Sequence, residues 1–422
     1  MQTGAGASGR RAPRGCFVAR LLIVGALGLI ALALSAGVAG AKPLVYGIVP
    51  QDGGLPDGHD LDRMPKAGIS SVRVIVNWGD VERTAGVYNW SAVDAVVREA
   101  IKHGIQPFPF VYGMPSWAAR ADGYSCSAGS CPPYAPKSPE TRAAFARFTA
   151  AAVKRYGPDG DFWKPTPLLA NDGSAGVDRY SVCIPIPPLI TCGPPPSSGE
   201  VPGPGEAPCG CTQPHPIRTW QIWNEQNTSK YFAPKVNVRR YASLLFATGT
   251  AIKAEDPGAD VILGGMWGPE SAKDVIMPVR SYLTKLYAVR GIEKSFDSIA
   301  IHPYSSNAGA SLAQLRSARN VVRKEGDKRA GLWVTEIGWA AGGPKKHPYV
   351  KGLQGQAKIL SRALGAYEHD RRSLRLRGVF WYSWRDKAGG TAICEWCGHA
   401  GLRAKDGSAK PAWRAFARVA RP

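Results

Sequence analysis

The stretch "TWQIWNEQN" (Thr219 to Asn227) decides how the rest of the chain is read. It opens as a β-rich run of aromatic and branched residues and closes on a carboxylate, Glu225, set between amides. Such a carboxylate is either a loop charge beside a buried strand or one part of a built site. Side chains alternate along a strand, so Trp220, Ile222 and Asn224 share one face and Gln221, Trp223 and Glu225 the other. Asn224 and Glu225 can turn to the same side only where the strand ending breaks that alternation.

Seven further runs have the same strand character: "LVYGIVP" (44–50), "SVRVIVNW" (71–78), "QPFPFVYG" (106–113), "DVILGGM" (260–266), "FDSIAIH" (296–302), "LWVTEIG" (332–338) and "GVFWYSW" (378–384). Helical patterns lie between them. Ser91-Ala92-Val93-Asp94 reads as a capping box, with Val93, Val96, Val97, Ala100 and Ile101 on one face and Gly104 as the stop. Ser138-Pro139 supplies a cap and a first-turn proline. Tyr241, Leu244, Leu245, Thr248 and Ile252 repeat at helical spacing, and regions 272–290, 310–325 and 351–369 read the same way. Eight strands alternating with helices predict an α/β protein whose parallel sheet closes into a (β/α)8 TIM barrel. A doubly wound open sheet is the alternative, but no glycine-rich phosphate fingerprint follows the first strand.

The first 41 residues stand apart. Arg10, Arg11, Arg14 and Arg20 precede an apolar run from Leu21 that ends in Ala39-Gly40-Ala41. This is the pattern of an export signal cut after Ala41; an uncleaved membrane anchor is the alternative. Either way the body, 42–422, is expected outside the cytoplasm as a single barrel. The formal charge is +21, and without the four leader arginines the body keeps +17. Outside a cell such a charge suits anionic cell-surface polymers. The absence of a compact basic cluster interleaved with aromatics argues against nucleic acid.

Eight cysteines remain in the body: Cys126, Cys131, Cys183, Cys192, Cys209, Cys211, Cys394 and Cys397. An even number in an exported chain favours disulfides. No second C-x-x-C and no ligand-spaced histidine pair completes a zinc site, so no metal is expected. Four of the eight lie in a Pro-, Gly- and Ser-rich stretch, about 164–216, which interrupts the rhythm. It follows a helix and precedes the fourth strand, so it reads as an insertion at the barrel's bottom. Cys126/Cys131 and Cys394/Cys397 follow the third and eighth strands, so they belong at the rim of the opposite, catalytic end.

Catalytic groups of such barrels come from the C-terminal ends of strands. Glu225 ends the fourth and Glu336, in "WVTEIGW", ends the seventh. Two carboxylates aimed at one point suit glycoside hydrolysis, where one protonates the leaving oxygen and the other attacks the anomeric carbon. "WNEQN", "TEIGW" and the intervening "IHPY" resemble the motifs of retaining glycoside hydrolases of clan A, in particular bacterial xylosidase- and cellulase-like members. "VNWGDVERTAGVYNW" (76–90) and "FVYGMPSWA" (110–118) are similar to their second- and third-strand segments. The resemblance runs from about Val45 to the final helix, apart from the insertion. It implies Glu225 as acid/base, Glu336 as nucleophile and Asn224 as a partner of the sugar 2-hydroxyl. The family often has proline where Gln226 stands.

Supporting roles fall to Arg73, which can hold Glu336 ionised, and to His302 and Tyr304, which end the sixth strand beside the seventh. Trp78, Trp117, Trp223, Trp339, Trp381 and Trp396 cluster at the predicted strand tops, where indoles can stack on sugar faces. Trp381 is the preferred platform, with Trp78 also assigned to substrate, and Trp223 is read as core. Asp80, Glu82, Asp297 and Asp386 read as capping or ion-pair residues, with Glu82 as the candidate exception. The expected partner is a carbohydrate substrate, with no cofactor. A non-catalytic carbohydrate-binding surface protein on the same barrel is the competing function. A metal-dependent barrel hydrolase is disfavoured because the first strand lacks H-x-H.

Overall fold

Branched and aromatic residues at successive positions stiffen eight runs of the chain into strands buried on both faces. The computed structural model describes residues 1, 43–50, 54–127, 131–164, 184–186, 189–191, 216–268, 277–387 and 394–421. The chain divides into two units, Met1–Pro43 and Leu44–Pro422, and the second carries the fold. The export signal, Cys16, the four insertion cysteines and most of the insertion lie outside the described residues.

The strands are β1 (Val45–Val49), β2 (Ser71–Asn77), β3 (Gln106–Tyr112), β4 (Ile184–Ile186), β5 (Leu189–Thr191), β6 (Thr219–Asn224), β7 (Asp260–Trp267), β8 (Ser298–His302), β9 (Gly331–Ile337) and β10 (Leu376–Tyr382). All but β4 and β5 form one closed parallel barrel in the order β1-β10-β9-β8-β7-β6-β3-β2. The pair β4–β5 is a separate antiparallel ribbon. All eight strands read from the sequence are in the barrel, and the open sheet is ruled out by its closure.

The principal helices are α1 (Ser91–Lys102), α2 (Pro139–Tyr156), α3 (Val238–Glu255), α4 (Val279–Tyr287), α5 (Ala308–Lys324), α6 (Gly352–His369) and α7 (Pro411–Ala420). The cap of α2 forms as its sequence predicts, with Ser138 Oγ accepting from Thr141 N at 3.1 Å ahead of Pro139. The capping box at Ser91 does not form. Ser91 is already helical, Asn89 Oδ1 accepts its N–H, and Asp94 instead takes Arg155 and the Tyr156 hydroxyl. A buried-side ion pair outcompeted the local cap.

Two layers of side chains fill the barrel. Val49, Phe108, Ile262, Ala300, Trp333 and Phe380 form the apolar inner layer. Helix-facing residues of the same strands join the larger outer core. The insertion leaves and re-enters at one point, where Tyr156 O accepts from both Trp163 Nε1 and Ile217 N. At the other end, disulfides Cys126–Cys131 and Cys394–Cys397 close loops that follow β3 and β10. Among the described residues no helix is long and apolar enough to cross a membrane.

Candidate active site

One inward position beyond the apolar plug, the barrel turns polar. Phe380 gives way to Tyr382, Ala300 to His302 and Trp333 to Thr335, and β2 and β6 contribute Arg73 and Gln221. The Arg73 guanidinium lies over the Phe110 ring at 4.1 Å and is almost wholly buried. Its Nε donates to Gln221 Oε1 at 3.0 Å, its Nη2 to Asn224 Oδ1 at 2.8 Å and its Nη1 to Glu336 Oε1 at 3.4 Å. Arginine's fixed fork thus sets the positions of three neighbours at once. Asn224 Oδ1 is occupied by Arg73, so its Nδ2 is the donor left for the cleft.

Glu225 and Glu336 meet at His302. Nδ1 of that ring lies 2.8 Å from Glu225 Oε1 and 3.1 Å from Glu336 Oε2. Its Nε2 is 3.1 Å from Thr335 Oγ1, which also accepts from Gln221 Nε2 at 3.1 Å. The second Gln221 N–H goes to Leu263 O, so the amide is oriented without ambiguity. Thr335 accepts from Gln221 and donates to Nε2. The ring proton therefore resides on Nδ1 and is donated to Glu225 Oε1, with Glu336 Oε2 close by at 3.1 Å. Burial, then the Arg73 charge, holds the imidazole well below its ordinary pKa and hence neutral. Gly265 makes room for this arrangement, because a Cβ there would collide with His302 Nε2 and Thr335 Oγ1.

The backbone supplies the aim of Glu225. Trp223 and Glu225 both adopt positive φ, 75° and 42°, around Asn224. These two left-handed residues end the strand's alternation, so Asn224 and Glu225 reach the same cleft, as the sequence required. Gln226, where the family often has proline, is fully buried and donates to Gly264 O at 3.0 Å.

The two carboxyls differ electrostatically. Burial, then the neighbouring Glu336 charge, pushes Glu225 well above the usual carboxylate range against the opposing Arg73 and Lys230. Burial also raises Glu336, but Arg73 and a hydrogen bond from the Tyr304 hydroxyl hold it back. Of a pair this close, Glu336 ionises first and Glu225 keeps the shared proton. The Glu336 side chain retains 17% exposure, which opens it to the cleft.

The aromatic wall differs from the sequence expectation. Trp381 is fully buried against Trp339 and donates to Ala400 O, so it cannot serve as a sugar platform. Its neighbour Tyr382 faces the barrel axis instead, because inward parity on β10 runs through Phe380 and Tyr382. Trp78 is also fully buried, packed on Trp117, Phe145 and Phe148 with its indole N–H on Glu82. That bond, with a second from Gly86 N, makes Glu82 a structural clamp and no exception among the strand-end acids. Trp223 is core, as read, and Asp297 and Asp386 pair with Lys253 and Lys410.

Half-buried Tyr112, Tyr231 and Trp267 join Tyr382 around the carboxylates. The Glu225 charge raises the pKa of both Tyr112 and Tyr231 after burial. Trp396, held in the Cys394–Cys397 loop, packs edge-on against Tyr304 at 5.5 Å. Gln221, Thr335, Tyr382 and Tyr231 were not singled out by sequence reasoning. For Gln221 the available signal was a polar residue at an inward strand position.

Glu225, His302 and Glu336 offer ligand atoms within 4.8 Å of one another. The trio is joined by the His302–Glu225 hydrogen bond and by the 3.1 Å approach of Glu336 to the same ring nitrogen. The acidic group of Asp57, His59 and Asp60 is already engaged by Arg385.

No sequence-family profile and no curated protein sequence matches the chain. Solved structures do. A family 39 glycoside hydrolase from Bacteroides cellulosilyticus WH2 superposes with a TM-score of 0.58 at 21% identity, over 90% of this chain and 63% of that one. This chain therefore spans less than two thirds of that protein's length. A GH39 β-xylosidase from Caulobacter crescentus gives 0.54 at 18% identity, over 89% and 70%. GH5_18 from Bifidobacterium longum subsp. infantis gives 0.56 at 14%, over 90% and 78%. At these identities the likeness is one of fold: the chain has the (β/α)8 barrel on which those glycoside hydrolases are built.

Proposed function

We propose that the protein is a retaining glycosidase that hydrolyses β-glycosidic bonds of an oligo- or polysaccharide by double displacement. In the first step the Glu225 carboxylic acid gives its proton to the glycosidic oxygen as the bond to the anomeric carbon breaks. The Glu336 carboxylate attacks that carbon and forms a glycosyl ester. Glu225, now ionised, takes a proton from water, whose oxygen displaces Glu336 and releases the sugar. Asn224 Nδ2 donates toward the 2-hydroxyl, Arg73 and Tyr304 keep Glu336 ionised, and Tyr382 offers a stacking face.

The observation that carries this reading is the convergence of Glu225 and Glu336 on His302 Nδ1. It puts an oxygen of each within 4.8 Å of the other. Retaining pairs stand about 5–5.5 Å apart and inverting pairs about 6.5–9.5 Å. The unequal pKa shifts supply one acid and one nucleophile. The fold neighbours, among them a β-xylosidase and an exo-β-1,4-mannosidase, fit the same substrate class. Export fits the rim disulfides, which persist in oxidising surroundings.

A panel of aryl β-glycosides tests the proposal. Glu336→Ala and Glu225→Ala should each lower kcat/KM by at least about 10²-fold on substrates that the wild type cleaves. Full activity in either variant sinks the assignment. A wild type silent on every sugar, yet binding glycans tightly, would make it a carbohydrate-binding barrel instead.

A further inference from the structure

The sequence contains no compact basic cluster, but the fold assembles one. At the strand N-terminal end of the barrel, opposite the carboxylates, α5 runs into β9 and the short helix Arg371–Leu374 runs into β10. There Arg319, Arg323, Lys324, Lys328, Arg372 and Arg375 line an open cleft of about 580 Å³. The last five are exposed, and none forms an ion pair or side-chain hydrogen bond among the described residues. Arg319 is the buried floor, 6% exposed. Its Nη1 and Nη2 donate to Ala330 O and Lys328 O, each at 2.9 Å, while its buried Nε donates to nothing.

Helix ends account for part of this. Arg323 and Lys324 fall in the last turn of α5, where cations favour the negative end of the helix dipole. That does not explain Lys328 or Arg375, which lie outside helices, nor an arginine buried beneath the others. Burial, then the charges of Arg375 and Arg323, depresses the Arg319 pKa, so the cluster repels itself. The nearby Asp327 is engaged by the Tyr287 hydroxyl and Ala330 N. Guanidinium groups with unused N–H donors are suited to carboxylate or phosphate oxyanions.

We propose that this cleft binds an acidic polysaccharide, holding its carboxylate or phosphate groups while the barrel mouth at the other end works on glycan chains. The choice of a glycan rests on the glycosidase reading; the oxyanion chemistry does not. Tethering the barrel by its base raises the local concentration of substrate at its mouth without new catalytic contacts. The cleft contains no aromatic side chain for base stacking, which sets it apart from a nucleic-acid groove.

The test compares two quadruple variants of the full chain in binding to polygalacturonate, to a glycerol-phosphate polymer and to single-stranded DNA. One variant carries Arg323→Gln, Lys324→Gln, Lys328→Gln and Arg372→Gln. The other makes the same change of net charge at exposed sites elsewhere: Arg239→Gln, Lys285→Gln, Lys358→Gln and Arg414→Gln. The cleft variant should lose about tenfold in affinity for at least one acidic glycan near physiological salt, and the control variant less than about twofold. Whichever glycan binds tighter identifies carboxylate or phosphate as the group held. Equal losses in both variants, no binding by the wild type, or preference for DNA would overturn the proposal. If the cleft variant unfolds, the milder pair Arg372→Gln and Lys328→Gln reads the same effect at about threefold. Aryl glycoside hydrolysis should be unchanged in every variant, so failure of the glycosidase reading and failure of the cleft are seen separately.

Discussion

His302 is the residue on which the site's electrostatics turn. Its single N–H meets Glu225 with Glu336 close by, and its other nitrogen is fixed by Thr335 and, through Thr335, by Gln221. In the proposed mechanism these two are positioning residues: they hold the proton of His302 on the nitrogen that faces Glu225. In Thr335→Val the shape is kept but Nε2 loses its donor, so the ring is free to change tautomer. We expect kcat to fall about tenfold with KM little changed, since residues behind a site's first contacts commonly carry 10–100-fold. The sign of the pH effect follows from what is lost. A hydrogen bond to an ionised carboxylate lowers its pKa, so removing it raises that of Glu225. The first step needs Glu225 protonated, so the basic limb of the kcat/KM profile should move to higher pH. Thr335→Ser should restore both rate and profile. An unmoved profile in Thr335→Val would show the chain of hydrogen bonds to be structural only.

At the scale of the element, the ends of the strands matter more than their middles. Trp223 and Glu225 hold left-handed backbone, at a cost on the order of 1–3 kcal/mol each, and so give Glu225 its aim. The run, its end and the carboxylate were all readable in "TWQIWNEQN"; the break in alternation was required by the sequence argument and is made by these two φ angles. On β10 the sequence misled. Successive side chains face opposite ways, so Trp381 lies in the outer core while Tyr382 faces the axis. An indole and a phenol side by side at a strand end carry no label for which faces the axis. Burial decided it, as it did for Trp78, and burial depends on neighbours distant in sequence such as Ala400 and Phe148. On β7 the absence of a side chain is what counts. Gly265→Ala should push His302 and Thr335 apart, lowering stability by about 1–3 kcal/mol and activity more than about tenfold. Thermal melts and kinetics on that variant check this, and a variant as active as wild type would mean the pair tolerates displacement.

For the whole molecule, strand count, order and closure followed from hydrophobic patterning, and the two glutamates followed from strand order. What the sequence concealed was anything assembled from separate elements: the Arg73–Gln221–Thr335–His302 chain, the tyrosine wall and the basic cleft of α5 and the Arg371–Leu374 helix. Each needs the barrel to close before its members meet. The barrel places acid chemistry at one end and a concentration of positive charge at the other, and the rim loops after β3 and β10 are each closed by a disulfide. Under the proposed mechanism Glu336 becomes covalently glycosylated with Glu225 as its acid. The direct measurement is mass spectrometry of the protein after incubation with an activated 2-deoxy-2-fluoro β-glycoside of a sugar it cleaves. One added glycosyl group is expected on the peptide containing Glu336, and none in Glu336→Gln. Turnover of the parent glycoside with inversion at the anomeric carbon, or a label on another residue, would contradict it.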